Sequence, residues 1–256
     1  MLLPYTPEQK PQLITDITEL AEPLYEPLPY HNIQHASVDV LNGVSRLISD
    51  CRKHEVEVTW EDEAAEIAAA ILHDTRFPEP LAEGTFTSKE DRSCQDAREI
   101  LSLLGFNDEI IETKVVPRIK CTEPGTSAID LGERRTRRSD IGNLGDVTIV
   151  FLSISLKLFY ESKQLHTRFG TKPLPWPSFV LKQQEYLKML LQDDLSMPYE
   201  KSSPYGCLFA RIAHQNVDRL STDAVLNGQE FCKTVGKNIF KLVPFFNPED
   251  LLNNAA

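Results

Sequence analysis

The sequence predicts an all-α fold. Apolar residues recur at steps of three and four in one segment after another, and helix-start and helix-stop residues bracket those segments. The one stretch with strand-like alternation has nothing to pair with. The first 30 residues, to Tyr30, are rich in Pro and Glu and predict one short helix over about Thr15–Leu24. From Gln34 to Cys51 the residues Val38, Leu41, Val44, Leu47 and Ile48 form a helical stripe. Asp62–Leu72 follows, acidic at its start as the positive end of a helix prefers, with Ala68, Ala69 and Ala70 as a close-packing surface. Ser88–Leu104 is the next helix, stopped by Gly105. Asn107 can cap a helix through Ile110, Ile111, Val115, Val116 and Ile119.

The stretch from Val147 to Tyr160 reads both ways. Leu152, Ile154, Leu156 and Leu158 alternate with Ser153, Ser155 and Lys157, while Ile149, Leu152, Leu156 and Phe159 make a helical stripe. Its helical neighbours decide for helix. Pro173, Pro175 and Pro177 mark a loop, and helices follow over Ser178–Leu191, Cys207–Leu220 and Val225–Leu242, with a frayed tail from Asn247. Loops are expected over Phe77–Thr87 and Glu123–Arg138. No repeat or low-complexity linker interrupts this. We expect one helical domain over residues 1–256, with its core at 25–220 and helical extensions at 1–24 and 221–256.

Of the 256 residues, 41% are apolar and 25% charged, enough to bury a sizeable core. The net charge of −11 repels nucleic acid and anionic membranes, which excludes a module for long polyanions. A small phosphorylated substrate stays compatible if positive charge is concentrated locally. The longest apolar runs, Ile67–Leu72 and Val147–Leu152, fall far short of the roughly 20 residues of a membrane helix. The N-terminus lacks the basic stretch and apolar core of a signal peptide, so a soluble, cytoplasmic protein without a membrane partner is expected. The five cysteines, at 51, 94, 121, 207 and 232, suit neither a zinc knuckle nor a disulfide framework and read as small thiols in a reducing compartment.

Three clusters carry chemistry. The first is Tyr30-His31-Asn32-Ile33-Gln34-His35, where two histidines at i and i+4 can share a helical face and converge on a metal or a phosphate. Taken alone, it reads first as a solvated histidine pair near a helix start. The second is Ala68-Ala69-Ala70-Ile71-Leu72-His73-Asp74, an apolar helix ending in adjacent His and Asp. Adjacent helical residues point about 100° apart, so both reach one ion only near a helix end. The plain alternative is a histidine at the negative pole of a helix. The third is Arg138-Ser139-Asp140-Ile141-Gly142-Asn143-Leu144-Gly145, in which Asp140 taken singly reads as an N-cap.

In this order and at these separations, the three clusters resemble the HD superfamily of metal-dependent phosphohydrolases, named for its His-Asp dyad. The resemblance continues through Glu90, Ser93, Ala97, Ile100 and Leu101, then Ile119 and Thr122, and more faintly through Arg211, Ala213 and Asn216. It implies an HD-like helical bundle in which His35, His73, Asp74 and Asp140 hold one divalent ion. That mixed nitrogen and oxygen set suits Mn²⁺, Fe²⁺, Ni²⁺, Zn²⁺ or Mg²⁺. Such an ion would lower the pKa of a bound water and draw charge from phosphoryl oxygens. The implied activity is hydrolysis of a phosphate ester of a small molecule, nucleotides included, with Asp74 in the catalytic set and a homodimer allowed.

Further roles follow from the same resemblance. His31 matches the histidine that donates a proton to the leaving alkoxide in the related cyclic-nucleotide phosphodiesterases. Glu90 is a candidate for orienting water, or simply an acidic residue in a first helical turn. Binuclear relatives add histidines between the dyad and the final Asp; none occurs here between His73 and His166, so one ion is expected. His54, His166 and His214 fit no ligand spacing. Arg76, Arg92, Arg135 and Arg138 are candidates for binding substrate phosphate, against a solvated basic loop for Arg134–Arg138. The competing function is a signalling or scaffold protein that keeps the fold and the metal without turnover.

Overall fold

The structure is a computed structural model, described over residues 3–79, 86–146, 148–204 and 206–222. Among these residues every regular element is a helix and no strand occurs, as the apolar periodicity predicts. They form two compact units, the first comprising the described residues up to Gly142 together with Leu195–Gly206, the second those from Asn143 to Asp194 and from Cys207 onward. The first unit closes its own apolar cluster, into which Met197 is fully buried.

Helix α1 (Lys10–Ala21) buries Leu13, Ile17 and Ala21, one residue per turn, and starts earlier than Thr15 because Pro11 sits in its first turn, where a missing N–H costs nothing. A widened π-helical turn (His35–Val40) leads into α2 (Leu41–Lys53), whose Leu41, Val44, Leu47, Ile48 and Cys51 are buried. Helix α3 (Trp60–Leu72) begins where the Thr59 hydroxyl accepts from the Asp62 amide at 3.1 Å. Every residue from Glu63 to Leu72 is buried, because α1, α2 and further helices pack around it. A helix apolar on all sides is a core helix, and its alanines let the neighbours approach.

Helix α4 (Lys89–Leu103) is capped by Ser88 and stops at Gly105, whose φ of +83° only glycine adopts freely. Asn107 caps the short α5 (Asp108–Ile110), as expected. A second π-helical turn (Ile111–Val115) and α6 (Val116–Lys120) continue it; the widened turn lies just ahead of Pro117, whose ring would crowd a regular ladder.

The loop expected over Glu123–Arg138 is corrected: Leu131–Asp140 is a helix, α7, capped by Asp130. Its buried residues are Gly132, Glu133, Arg135, Thr136, Arg137 and Ser139, so no apolar stripe announces it. What replaces apolar contact is charge pairing. Arg135 donates to both oxygens of buried Glu66 on α3 at 2.8 and 2.6 Å, and Arg118 on α6 donates to Asp62 at 3.2 Å.

In the second unit, α8 (Thr148–Arg168) buries Phe151, Leu152, Leu156 and Phe159, which settles the ambiguous stretch as helix; Val147 lies outside the described residues. Helix α9 (Trp176–Leu190) sets Trp176 edge-on to Phe159, with ring centroids 5.2 Å apart. The chain returns to the first unit with the short α10 (Pro198–Lys201), where Arg138 donates to both Glu200 oxygens at 2.5 and 2.9 Å. It ends its described course in α11 (Leu208–Arg219), whose Asn216 donates to the carbonyls of Leu144 and Asp146, both at 2.9 Å. The helix expected over Val225–Leu242, the tail from Asn247 and the middle of the Phe77–Thr87 loop lie outside the described residues. No helix among those described is long and apolar enough to cross a membrane.

Candidate metal centre

The centre forms where three elements of the first unit end or begin. Helix α3 stops at Leu72, and His73 is its C-cap, so the dyad sits at the helix end that the 100° offset requires. The His73 Nδ1 lies 3.0 Å from the Ala70 carbonyl, which can only accept; Nδ1 therefore carries a proton, and Nε2 faces the centre. The turn after Asp74 is strained at Arg76, whose φ is +56°. Four contacts hold it: the Arg76 amide donates to Leu24 O at 2.8 Å, its guanidinium donates to Asp96 at 2.9 Å, and Arg92 donates to the carbonyls of Arg76 and Glu79 at 2.7 and 2.9 Å.

His35 opens the π-helical turn. The Asn32 side chain accepts from the His35 amide at 3.0 Å and donates to Leu28 O at 2.7 Å, fixing where the turn starts. Asp140 is the last residue of α7 rather than an N-cap, and the small Gly43 of α2 allows Ser139 beside it to approach closely.

These elements bring His35, His73, Asp74 and Asp140 together, with one donor atom from each lying within 4.8 Å of all the others. Asp140 Oδ1 is 3.2 Å from His73 Nε2 and 3.5 Å from His35 Nε2, and Asp74 Oδ2 is 3.1 Å from His73 Nε2. Both ring nitrogens of His35 and Nε2 of His73 are buried with no hydrogen-bond partner. Buried polar atoms are rarely left so, and converging orphaned nitrogens beside two carboxylates fit a divalent cation.

The electrostatics agree. Burial pushes the His73 imidazole toward neutrality, but Asp74 and Asp140 overcome it and raise its pKa to about 10. His35 is likewise raised against its burial, by Asp140 and Asp39. Burial acts to raise the carboxyls of Asp74 and Asp140, yet His73 above all holds both well below the usual range.

Around this floor lies a partly open rim. The side chains of His73 and Asp74 are 1% exposed, whereas those of Asp140 and His31 are each 21% exposed. The His31 and His35 rings do not share one helical face, since His31 precedes the helix; His31 Nε2 instead reaches to 3.9 Å from Asp74 Oδ2. Tyr30 and Phe77 flank the His31 ring, with centroids at 4.9 and 4.6 Å. Glu90 is buried, and its Oε1 has no hydrogen-bond partner.

The four arginines expected to meet phosphate each have partners inside the protein. Arg135 is turned onto Glu66, Arg138 onto Glu200, Arg76 onto Asp96, and Arg92 onto two backbone carbonyls. The basic run thus lies on α7 rather than in a solvated loop, with Arg135 clamping it to α3 and Arg138 to α10. His54 stacks on Tyr199, His166 contacts Thr171 and His214 is exposed, so none of the three adds to the centre.

One residue that sequence reasoning passed over is Lys89, whose ammonium contacts Asp74 Oδ1. Its signal was available: Ser88 as a cap places residue 89 at the first position of a helix next to the motif Glu90. Neither the known protein families nor the curated proteins yield a match to this chain.

Proposed function

We propose that this protein is a metal-dependent phosphohydrolase acting on a phosphate ester of a small molecule, with His35, His73, Asp74 and Asp140 as the ligands of one divalent ion. The observation that carries the reading is the meeting of two imidazoles and two carboxylates from three distant stretches of sequence, with buried ring nitrogens unpartnered. Its motif order, which resembles that of the HD superfamily, supports the same conclusion. When bound, the ion would supply Lewis acidity to a phosphoryl oxygen and to a water.

The chain's own residues supply the rest. His31, at the rim and 3.9 Å from Asp74, is the residue we assign as proton donor to the leaving oxygen, a task that suits an imidazole. Glu90 offers a buried acceptor, Oε1, for orienting water. Phe77 and Tyr30 cover the His31 ring and limit water around the leaving group. The four clamping arginines are left out of this assignment, because substrate would have to break their present pairings.

The test is a phosphate-release screen over model monoesters, diesters and nucleotides. It compares Mn²⁺-loaded protein with chelated protein and with Asp74→Ala. Release that needs both the ion and Asp74 supports a hydrolase. Ion binding without turnover of any ester would favour a non-catalytic signalling or scaffold protein instead.

A further inference from the structure

Asp74 has two oxygens, and they face different neighbours. Oδ2 looks toward the imidazoles, 3.1 Å from His73 Nε2 and 3.9 Å from His31 Nε2. Oδ1 is held by the ammonium of Lys89, which also lies 3.3 Å from Glu90 Oε1 and 5.6 Å from the centroid of the Phe77 ring. One carboxylate thus spans two cation positions. The position among His35, His73 and Asp140 suits a metal ion, and the other is already taken by a cation tethered to the first residue of α4.

Charge balance follows from the same groups. Three carboxylates, Asp74, Asp140 and Glu90, stand at the centre, and one divalent ion plus one ammonium neutralises them. A centre so balanced can accept an anionic phosphoryl group; with the ion alone it would keep a net negative charge that repels one. An ammonium carries three donors. Asp74 engages one of them and Glu90 Oε1 lies 3.3 Å away as an ion-pair neighbour, so donor capacity is left over, and the Lys89 side chain is 31% exposed at the open rim, where a ligand would arrive.

We propose that Lys89 is the second cationic centre of the site and binds a phosphoryl oxygen of the substrate beside the metal ion. This rests on the metal-centre reading above but adds a phosphate contact to it. A point charge on a flexible stem is well suited to a phosphoryl oxygen that moves during reaction, where a rigid guanidinium fork is not.

The experiment is calorimetric titration, first with Mn²⁺ and then, on the loaded protein, with inorganic phosphate. It uses wild type, Lys89→Met and Lys89→Arg, each checked for folding by thermal unfolding. In Lys89→Met we expect Mn²⁺ to bind within about threefold of wild type, or more tightly, since a repelling charge is gone. Phosphate should bind at least tenfold more weakly, with part of the loss recovered in Lys89→Arg. Unchanged phosphate affinity in a metal-loaded Lys89→Met protein overturns the assignment while leaving the metal centre standing. Loss of Mn²⁺ binding in that variant also overturns it, because Lys89 would then only orient Asp74. Wild type that takes up no Mn²⁺ overturns the metal centre, and the Lys89 assignment with it. Should Lys89→Met fail to fold, Lys89→Gln, which keeps a donor for Asp74 without the charge, gives the same readout.

Discussion

Glu63 on α3 accepts from Lys10 at 2.7 Å and from Arg52 at 2.6 Å while its side chain is only 7% exposed. Burial alone would raise its carboxyl pKa, but the hydrogen bonds and charges of Lys10 and Arg52 prevail and hold it below 4.5. The folded value is therefore lower than the unfolded one. The stability this pairing contributes is present in full above the ordinary glutamate range and is lost as pH falls through the lowered folded value. Glu63→Gln should then melt below wild type at about pH 7, and the gap between the two should close as pH falls through the lowered folded value. Thermal unfolding at several pH values measures this, and a gap that stays constant would mean the carboxylate's charge is not what Glu63 contributes. The same logic of burial against partner charge governs His73 and Asp74, where the balance sets up a cation site rather than a clamp.

At the scale of elements, the centre depends on how closely α2 and α7 approach. A Cβ placed on Gly43 would lie 2.9 Å from the Ser139 Cβ, beside the ligand Asp140. Gly43→Ala should therefore wedge the two helices apart, at a cost of about 1–3 kcal/mol, and weaken Mn²⁺ binding as Asp140 shifts. Gly142→Ala is the control, since a Cβ there meets nothing within 4 Å. Chemical denaturation and metal titration of both variants check it; equal behaviour would show that the α2–α7 spacing does not position the ligand. The α4 start matters in the same way, because the Ser88 cap fixes the turn that bears Lys89 and Glu90.

At the scale of the whole molecule, an ion that binds only the folded first unit must stabilise it. At a hundredfold excess over its dissociation constant the gain is about 2.7 kcal/mol. For a chain of this length that raises the unfolding midpoint of that unit by about 5–11 °C. Addition of Mn²⁺ should produce such a rise in wild type, chelation should reverse it, and Asp140→Asn should blunt it. A midpoint indifferent to metal at millimolar concentration would remove the metal centre. The second unit holds none of the four candidate ligands, so a transition belonging to it should not respond.

The sequence alone determined most of the helices: the stripe from Leu41 to Ile48 and the run from Asp62 to Leu72 needed no tertiary information, whereas Val38, expected on the same stripe, is exposed because the π-helical turn before α2 shifts the register. It also singled out His35, His73, Asp74 and Asp140, since order and spacing along the chain carry that pattern. Helix α7 was not legible by hydrophobicity, because its buried face is Arg135, Thr136, Arg137 and Ser139; the sign that was present, Asp130 three residues before Glu133, is a capping pattern rather than a stripe. Only the tertiary structure decided what the arginines do, because whether a guanidinium meets substrate or an internal carboxylate depends on what lies opposite, as Glu66 lies 69 residues from Arg135 in sequence and 2.6 Å from it in space. It likewise decided that Lys89 touches Asp74: the Ser88 cap marks where α4 begins, but not which side chain, 15 residues away, its first residue meets.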